Sequence, residues 1–117
     1  MCQGNETEPK VFDRVELLRR FGGDADLLED ILKIYLGDIP KQIEVLKKAV
    51  ADNDVELVHR KGHSIKGASD NVAAARMKNI ALLIEKAGRE ADLGMVPELT
   101  ARLETEFQQF CEYFKRH

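Results

Sequence analysis

The chain has 117 residues, a length typical of one small domain with a single core. Hydrophobic residues make up 44% and charged residues 33%, and the formal net charge of −3 supplies no basic field for a nucleic-acid backbone. No apolar run approaches the ~20 residues that span a bilayer, and the charged N-terminal stretch is unlike a signal peptide. The composition therefore predicts a cytoplasmic globular protein that binds neither nucleic acid nor membrane.

The N-terminal part of the chain is expected to contain a leader and one short helix. Residues 1–10 are polar and show no hydrophobic period, so we expect a flexible leader before a single domain over residues 11–117. A short helix is expected over residues 11–21, with Val15 and Leu18 facing inward, because two glycines follow it.

Four longer amphipathic helices follow. Asp24 is a suitable N-cap for a long helix, and because its apolar stripe continues in phase across Pro40, we expect one bent helix there rather than two. Further helices are expected over residues 55–71 and 74–91, and Pro97 suits the first turn of the last one. The pattern predicts an all-α fold, an antiparallel up-down four-helix bundle with a short extra N-terminal helix as a lid.

The helix over residues 55–71 has one apolar face and one open polar face. Small or apolar residues recur along it in steps of three and four, at Val55, Val58, Gly62, Ile65, Ser69 and Val72. His63 lies about 160° from Ile65 on the helical wheel, so we expect its imidazole to face water. Gly67 follows one turn later on the same face, where a helix glycine costs about 0.8–1 kcal/mol relative to alanine. We therefore expect Gly67 to leave an open notch beside the imidazole, and Gly62 to admit a neighbouring helix.

The chemistry of this face is that of a phosphoryl acceptor. A neutral imidazole such as that of His63 is a nucleophile near pH 7, and the ammonium of Lys66, three residues on, suits an anionic phosphoryl oxygen. His59 and His63 also have a spacing that can clamp a metal ion, but a tetrahedral site needs more ligands and no further His or Cys is an evident partner. We therefore predict no metal and no cofactor.

The same residues resemble a known family, the histidine-containing phosphotransfer (HPt) domains of multistep phosphorelays. Their signature, H-x-[LI]-K-G-[SA]-[SA]…N-[LIV]-G-A, is similar to the run His63-Ser64-Ile65-Lys66-Gly67-Ala68-Ser69 with Asn71-Val72 and Ala74 after it. The resemblance covers roughly residues 11–115. The chain departs from the family pattern at Ala73, where glycine is usual, and at Gly62, where alanine is common.

The resemblance implies that His63 takes a phosphoryl group from a receiver-domain aspartate, or from a histidine kinase, and passes it to the receiver aspartate of a response regulator. Lys66 would stabilise the phosphoryl charge and Gly67 would provide docking clearance. Glu85 matches by offset a polar residue that orients the imidazole, or it is a surface carboxylate. Arg89 would extend the partner surface, or pair with Glu85 at i+4.

The implied partners are receiver domains and a hybrid sensor histidine kinase, and we expect the carrier itself to be a monomer. It would not be an enzyme in its own right, since the partner supplies most catalytic groups and the sequence has no nucleotide-binding loop. The alternative is a helical interaction module that sequesters a signalling partner without carrying phosphate. The presence of both His63 and Lys66 argues against that alternative.

Overall fold

The computed structural model describes residues 13–116, and within them the chain forms helices and no strand. The helices are α1 (Arg14–Arg20), α2 (Ala25–Ala51), α3 (Val55–Asn71), α4 (Ala75–Arg89) and α5 (Val96–Arg116). The predicted all-α bundle with a short extra N-terminal helix is confirmed. None of these helices combines the length and the apolar character that crossing a membrane requires. The predicted leader over residues 1–10 lies outside the described residues, and the single domain over residues 11–117 stays a prediction.

Aspartate side chains begin the first three helices. Asp13, Asp24 and Asp54 each accept a hydrogen bond from the backbone N–H three residues later, at 3.1, 3.0 and 3.1 Å. Each bond satisfies an N–H that has no partner inside its helix, which is why the helices start at these positions. Helix α3 has the predicted bounds, and α2 runs as one helix through Pro40, also as predicted.

The apolar stripes of the four long helices meet in one core. Its largest fully buried side chains on these helices are Leu28, Leu32, Ile39, Leu46, Val58, Ile65, Met77, Ile84, Leu103 and Phe110. Full burial of such a side chain stabilises the fold by about 1.5–3 kcal/mol relative to exposure. The core is therefore aliphatic with few aromatic rings, as expected for helices that pack through Leu and Ile.

One buried hydrogen-bonded cluster joins α2, α3 and α4. The hydroxyl of Tyr35 lies 2.7 Å from Ser69 Oγ and donates to Met77 Sδ at 3.1 Å. Burial raises the pKa of Tyr35 well above its usual range, so the phenol stays protonated. Ser69, which the sequence pattern marked only as a small residue of the apolar stripe, thus has a polar partner in the core.

Helix α1 differs from the prediction in its inward face. Leu17 is its fully buried residue and Leu18 is half-buried, whereas Val15, predicted to face inward, is 80% exposed. A helix of seven residues has only two turns, so its apolar stripe is too short to fix its phase. Leu17 joins α1 to the core, and Arg20 donates to the backbone oxygen of Asp70 at 2.7 Å, near the end of α3.

Helices α3 and α4 approach each other at backbone distance through one glycine from each helix. A Cβ atom added to Gly62 would lie 2.5 Å from the backbone nitrogen of Glu85, and one added to Gly88 would overlap the backbone of His59. Only glycine permits this contact, because a real Cβ cannot come so close. The prediction for Gly62 is confirmed, and the matching contact at Gly88 was not predicted from the sequence.

The turn between α3 and α4 contains a left-handed residue. Ala73 has φ +55°, and Ala91, just after α4, has φ +56°. Left-handed backbone costs a residue with a Cβ about 1–2 kcal/mol. Helix α4 spans Ala75–Arg89 rather than the predicted residues 74–91. Its C-terminal end is earlier than predicted because Ala91 has the left-handed conformation, which a right-handed helix cannot include.

We expect Ala73→Gly to stabilise the protein by about 0.5–1 kcal/mol, because glycine adopts positive φ without the steric cost of a Cβ. The control is Ala101→Gly, at an exposed helical position of α5, which should lower the free energy of unfolding by about 0.5–1 kcal/mol. Urea unfolding followed by circular dichroism measures both changes. Destabilisation by Ala73→Gly would contradict the assignment of strain to this turn.

We expect Gly62→Ala to destabilise the protein by about 1–3 kcal/mol, because the new Cβ would push α4 away from α3. Gly67 offers a matched control on the same helix, since a Cβ added there meets no atom within 4 Å. Gly67→Ala should stabilise the protein by about 0.5–1 kcal/mol through helix propensity alone. Equal effects of the two substitutions in thermal unfolding would refute the close contact.

Candidate functional site

The imidazole of His63 is open to solvent in the middle of α3. Its side chain is 67% exposed, as the helical wheel predicted. Gly67, one turn later, is also exposed, and the space that its side chain would occupy is open. The ring and the open space beside it therefore lie on one accessible face of the bundle.

The carboxylate of Glu85 on α4 binds two side chains of α3. Its Oε2 lies 2.7 Å from His63 Nδ1 and its Oε1 lies 2.7 Å from Lys66 Nζ. An ionised carboxylate only accepts hydrogen bonds, so the proton of a neutral His63 ring sits on Nδ1 and donates to Glu85. The lone pair of Nε2 is then free, and it is the nitrogen that does not face the carboxylate.

Glu85 is held ionised although it is buried. Its side chain is only 7% exposed, yet the ammonium of Lys66 holds the pKa of its carboxyl below the usual range. Burial acts in the opposite direction, and the hydrogen bond from His63 adds to the lowering. With His63 neutral, the three side chains carry one negative and one positive charge, so the cluster is neutral overall.

His59 brings a second imidazole to the same carboxylate. Its Nε2 lies 3.9 Å from Glu85 Oε2, and its side chain is 36% exposed. Its backbone is the one that packs against Gly88. The two histidines that could have clamped a metal ion thus share a carboxylate instead. Within residues 13–116, no group of three or more His, Cys, Asp or Glu side chains is arranged to hold a metal ion.

Two alternatives from the sequence are wrong. Glu85 is not a surface carboxylate, because it is buried between α3 and α4. It does not pair with Arg89 either: among the described residues, the basic side chains within 4.0 Å of its carboxylate are those of Lys66, His63 and His59. Arg89 lies exposed in the last turn of α4, where it borders the site without joining the cluster.

An apolar groove lies between α2 and α3. It has a volume of about 250 Å³ and is lined by Ile31, Ile34, Tyr35, Asp38, Ala68, Asn71 and Val72. Ile34, one of the lining residues, is 70% exposed. Ala68, which lines the groove on α3, immediately follows Gly67 in the sequence. The exposure of Ile34 was not predicted from the sequence.

Comparisons with known proteins identify the family and a similar fold. The sequence model of the Hpt domain family matches residues 30–113, which is more than half of the chain. The fold is similar to the crystal structure of histidine-containing phosphotransfer protein B (HptB) from Pseudomonas aeruginosa PAO1, with a TM-score of 0.85 and 23% identity over 93% of this chain and 95% of that one. No curated protein matches the sequence. The chain therefore belongs to the Hpt domain family, the phosphotransfer carriers of phosphorelays.

Proposed function

We propose that this chain carries a phosphoryl group on Nε2 of His63, between receiver-domain aspartates of a phosphorelay. The observation that carries the proposal is the hydrogen bond of 2.7 Å from His63 Nδ1 to the buried, ionised Glu85. It presents the other ring nitrogen, with its lone pair, on the accessible face. A histidine that served only solubility would not need a buried carboxylate to orient it.

The proposed relay consists of two nucleophilic displacements, one that brings the phosphoryl group onto His63 and one that removes it. The Nε2 lone pair of His63 attacks the phosphorus of an aspartyl phosphate, and an N–P bond forms as the P–O bond to the aspartate breaks. The aspartate leaves as a carboxylate, and the ring keeps its proton on Nδ1 and becomes cationic. Glu85 stabilises that cation, as a buried carboxylate does for an imidazolium in other nucleophilic sites. Attack by a second aspartate carboxylate on phosphorus then releases neutral His63.

Lys66 is proposed to stabilise the charge of the phosphoryl group. It lies three residues after His63, which puts the two side chains on adjacent turns of α3. Its ammonium is held 2.7 Å from Glu85 Oε1, so it is already positioned beside the ring before a phosphoryl group arrives. An ammonium has three donors and can bind carboxylate and phosphoryl oxygens together.

The remaining catalytic groups are proposed to come from the partner. The first donor is a receiver domain, such as one attached to a hybrid sensor histidine kinase, or a histidine kinase itself, and the acceptor is a response-regulator receiver. The receiver supplies its acidic pocket, its metal ion and its lysine, so the carrier is not an enzyme in its own right. We further propose that it acts as a cytoplasmic monomer, because a single chain already holds the complete histidine cluster.

The docking surface is proposed to surround His63 on three sides. Gly67 provides the clearance, and the apolar groove that contains the exposed Ile34 lies on the α2 side. Leu82, which is 45% exposed, and Arg89 lie on the α4 side. Apolar residues around a central polar group are typical of a surface that a partner covers.

We expect His63→Gln to abolish acid-labile phosphorylation, because glutamine has no nucleophilic ring nitrogen. Wild-type protein and variant are incubated with phosphorylated receiver domains, and the mass of the intact carrier is measured. The control is Arg60→Gln, at an exposed position of α3 outside the cluster, which should keep the label. A receiver that binds the wild type tightly without labelling it would instead support a module that sequesters its partner.

Replacement of Lys66 by glutamine should slow transfer about tenfold, since one charge-assisted contact to the phosphoryl group is lost. The matched control is Lys86→Gln, which removes the same charge. Lys86 is exposed and follows Glu85 in the sequence, but it does not pair with Glu85. Single-turnover transfer from a labelled receiver gives both rates. If Lys86→Gln slows transfer as much as Lys66→Gln, the effect comes from net charge and not from a contact at the reacting group.

A long side chain at Gly67 should block docking while leaving His63 reactive. We expect Gly67→Gln to reduce transfer from a receiver by at least about tenfold, because the new side chain fills the clearance beside the ring. Labelling by phosphoramidate, which is small enough to need no docking surface, should proceed in the same variant. Gly67→Ala is the size control, and its rate of transfer from the receiver should lie between the rates of the wild type and Gly67→Gln. Undiminished transfer to Gly67→Gln would refute the docking role.

A further inference from the structure

We propose that His59 is a second positioning residue, which binds a proton when His63 is phosphorylated and then holds the Glu85 carboxylate as a cation. The inference rests on the proposed function, because it requires a phosphoryl group on His63. It concerns a residue that has no part in the chemical step itself. The proton comes from solvent, to which the half-buried His59 ring has access.

The geometry brings His59 close to Glu85 without a hydrogen bond in the unphosphorylated protein. The distance of 3.9 Å from His59 Nε2 to Glu85 Oε2 is about 0.7 Å longer than the upper end of the ordinary N–H···O range. The backbones on both sides are fixed, since Gly62 packs against Glu85 and Gly88 packs against His59. The proposal therefore requires a side-chain rotation of His59 that brings Nε2 within hydrogen-bond distance of Glu85.

The charge of the cluster changes on phosphorylation. Before transfer, the charges of Glu85 and Lys66 balance each other, and the neutral form of the His63 ring is the one that can act as the nucleophile. Transfer adds a PO₃ unit with one net negative charge, and Nδ1 keeps its proton, so the cluster becomes negative overall. Lys66 is then shared between a carboxylate that is only 7% exposed and the phosphoryl oxygens. The cationic His63 ring stays bound to Glu85, so the added negative charge lies on the phosphoryl oxygens, and a proton on His59 would return the cluster as a whole to neutrality.

Other charges near His59 do not change between the two states. The titratable or charged side chains that share the Glu85 carboxylate with His59 are His63 and Lys66. Glu56 and Arg60 lie within one turn of His59 in the α3 sequence, and Arg89 follows Gly88, which packs against His59. Of these, Glu56, Arg60 and Arg89 are exposed, so their fields are screened by solvent and are the same with and without phosphate. The state-dependent field at His59 therefore comes from the phosphorylated cluster.

Linkage makes the effect reciprocal. If phosphorylation of His63 promotes proton binding at His59, protonation of His59 favours phosphorylated His63 by the same factor. Lowering the pH should therefore shift the phosphoryl exchange equilibrium toward the carrier through His59. An interaction with a partly exposed histidine is worth a few-fold in an equilibrium constant, so we expect about a threefold effect.

The first test measures the His59 ring directly. The protein is labelled with phosphoramidate at pH 7, and the ¹⁵N and ¹H signals of the His59 ring are compared before and after, with His59→Gln to assign them. We expect these signals to move toward those of the protonated ring in the wild type, and not in His63→Gln. The mass of the same sample reports the phosphoryl group. No label on His63 would overturn the proposed function, whereas a label without movement of the His59 signals overturns only this inference.

The second test separates positioning from a structural role. The exchange equilibrium with the receiver domain that labels His63 is measured at pH 6 and pH 8 for wild type and His59→Gln. The ratio of wild-type to variant equilibrium constants should be about three times larger at pH 6 than at pH 8, while Arg60→Gln should follow the wild type. A structural defect would change the equilibrium equally at both pH values. An equal ratio at the two pH values therefore overturns the proposal.

Discussion

The approach of α3 to α4 at backbone distance is the constraint on which the rest of the site depends. Two glycines make it, Gly62 against Glu85 and Gly88 against His59. With the present packing, a Cβ at either position would overlap the backbone of the other helix, so the two helices would have to shift and the contacts of Glu85 would shift with them. Residues that bear no functional group thus determine where the functional groups meet.

The close approach of the two helices lets the His63 ring be both accessible to a partner and fixed in orientation. A nucleophile that serves a protein partner has to be accessible, but an exposed side chain samples several rotamers and loses reactivity through that freedom. His63 is accessible at one nitrogen and hydrogen-bonded at the other, to a carboxylate that Lys66 keeps ionised. The buried partner supplies the order, and the open side of the ring stays available for reaction.

The buried side of α3, opposite His63, is also held in place. Buried hydrogen bonds of the Tyr35 hydroxyl connect α2 with Ser69 on α3 and with Met77 on α4. Ser69 lies less than two turns after His63. The helix that carries the nucleophile is therefore held on both sides, by α4 through the glycine contacts and by α2 through the tyrosine. Such stiffness suits a carrier that contributes little catalytic machinery of its own, because its contribution is the placement of one ring.

The sequence by itself determined what depends on the period and ends of single helices. The bounds of α3, the outward position of His63 and the open space at Gly67 follow from helix geometry, and all three are as predicted. Only the tertiary structure decided what depends on the register between helices. This register buries Glu85 between α3 and α4 and pairs it with Lys66 instead of Arg89. The physical reason is that a helical wheel fixes directions within one helix, whereas the alignment of two helices is set by how closely their surfaces pack.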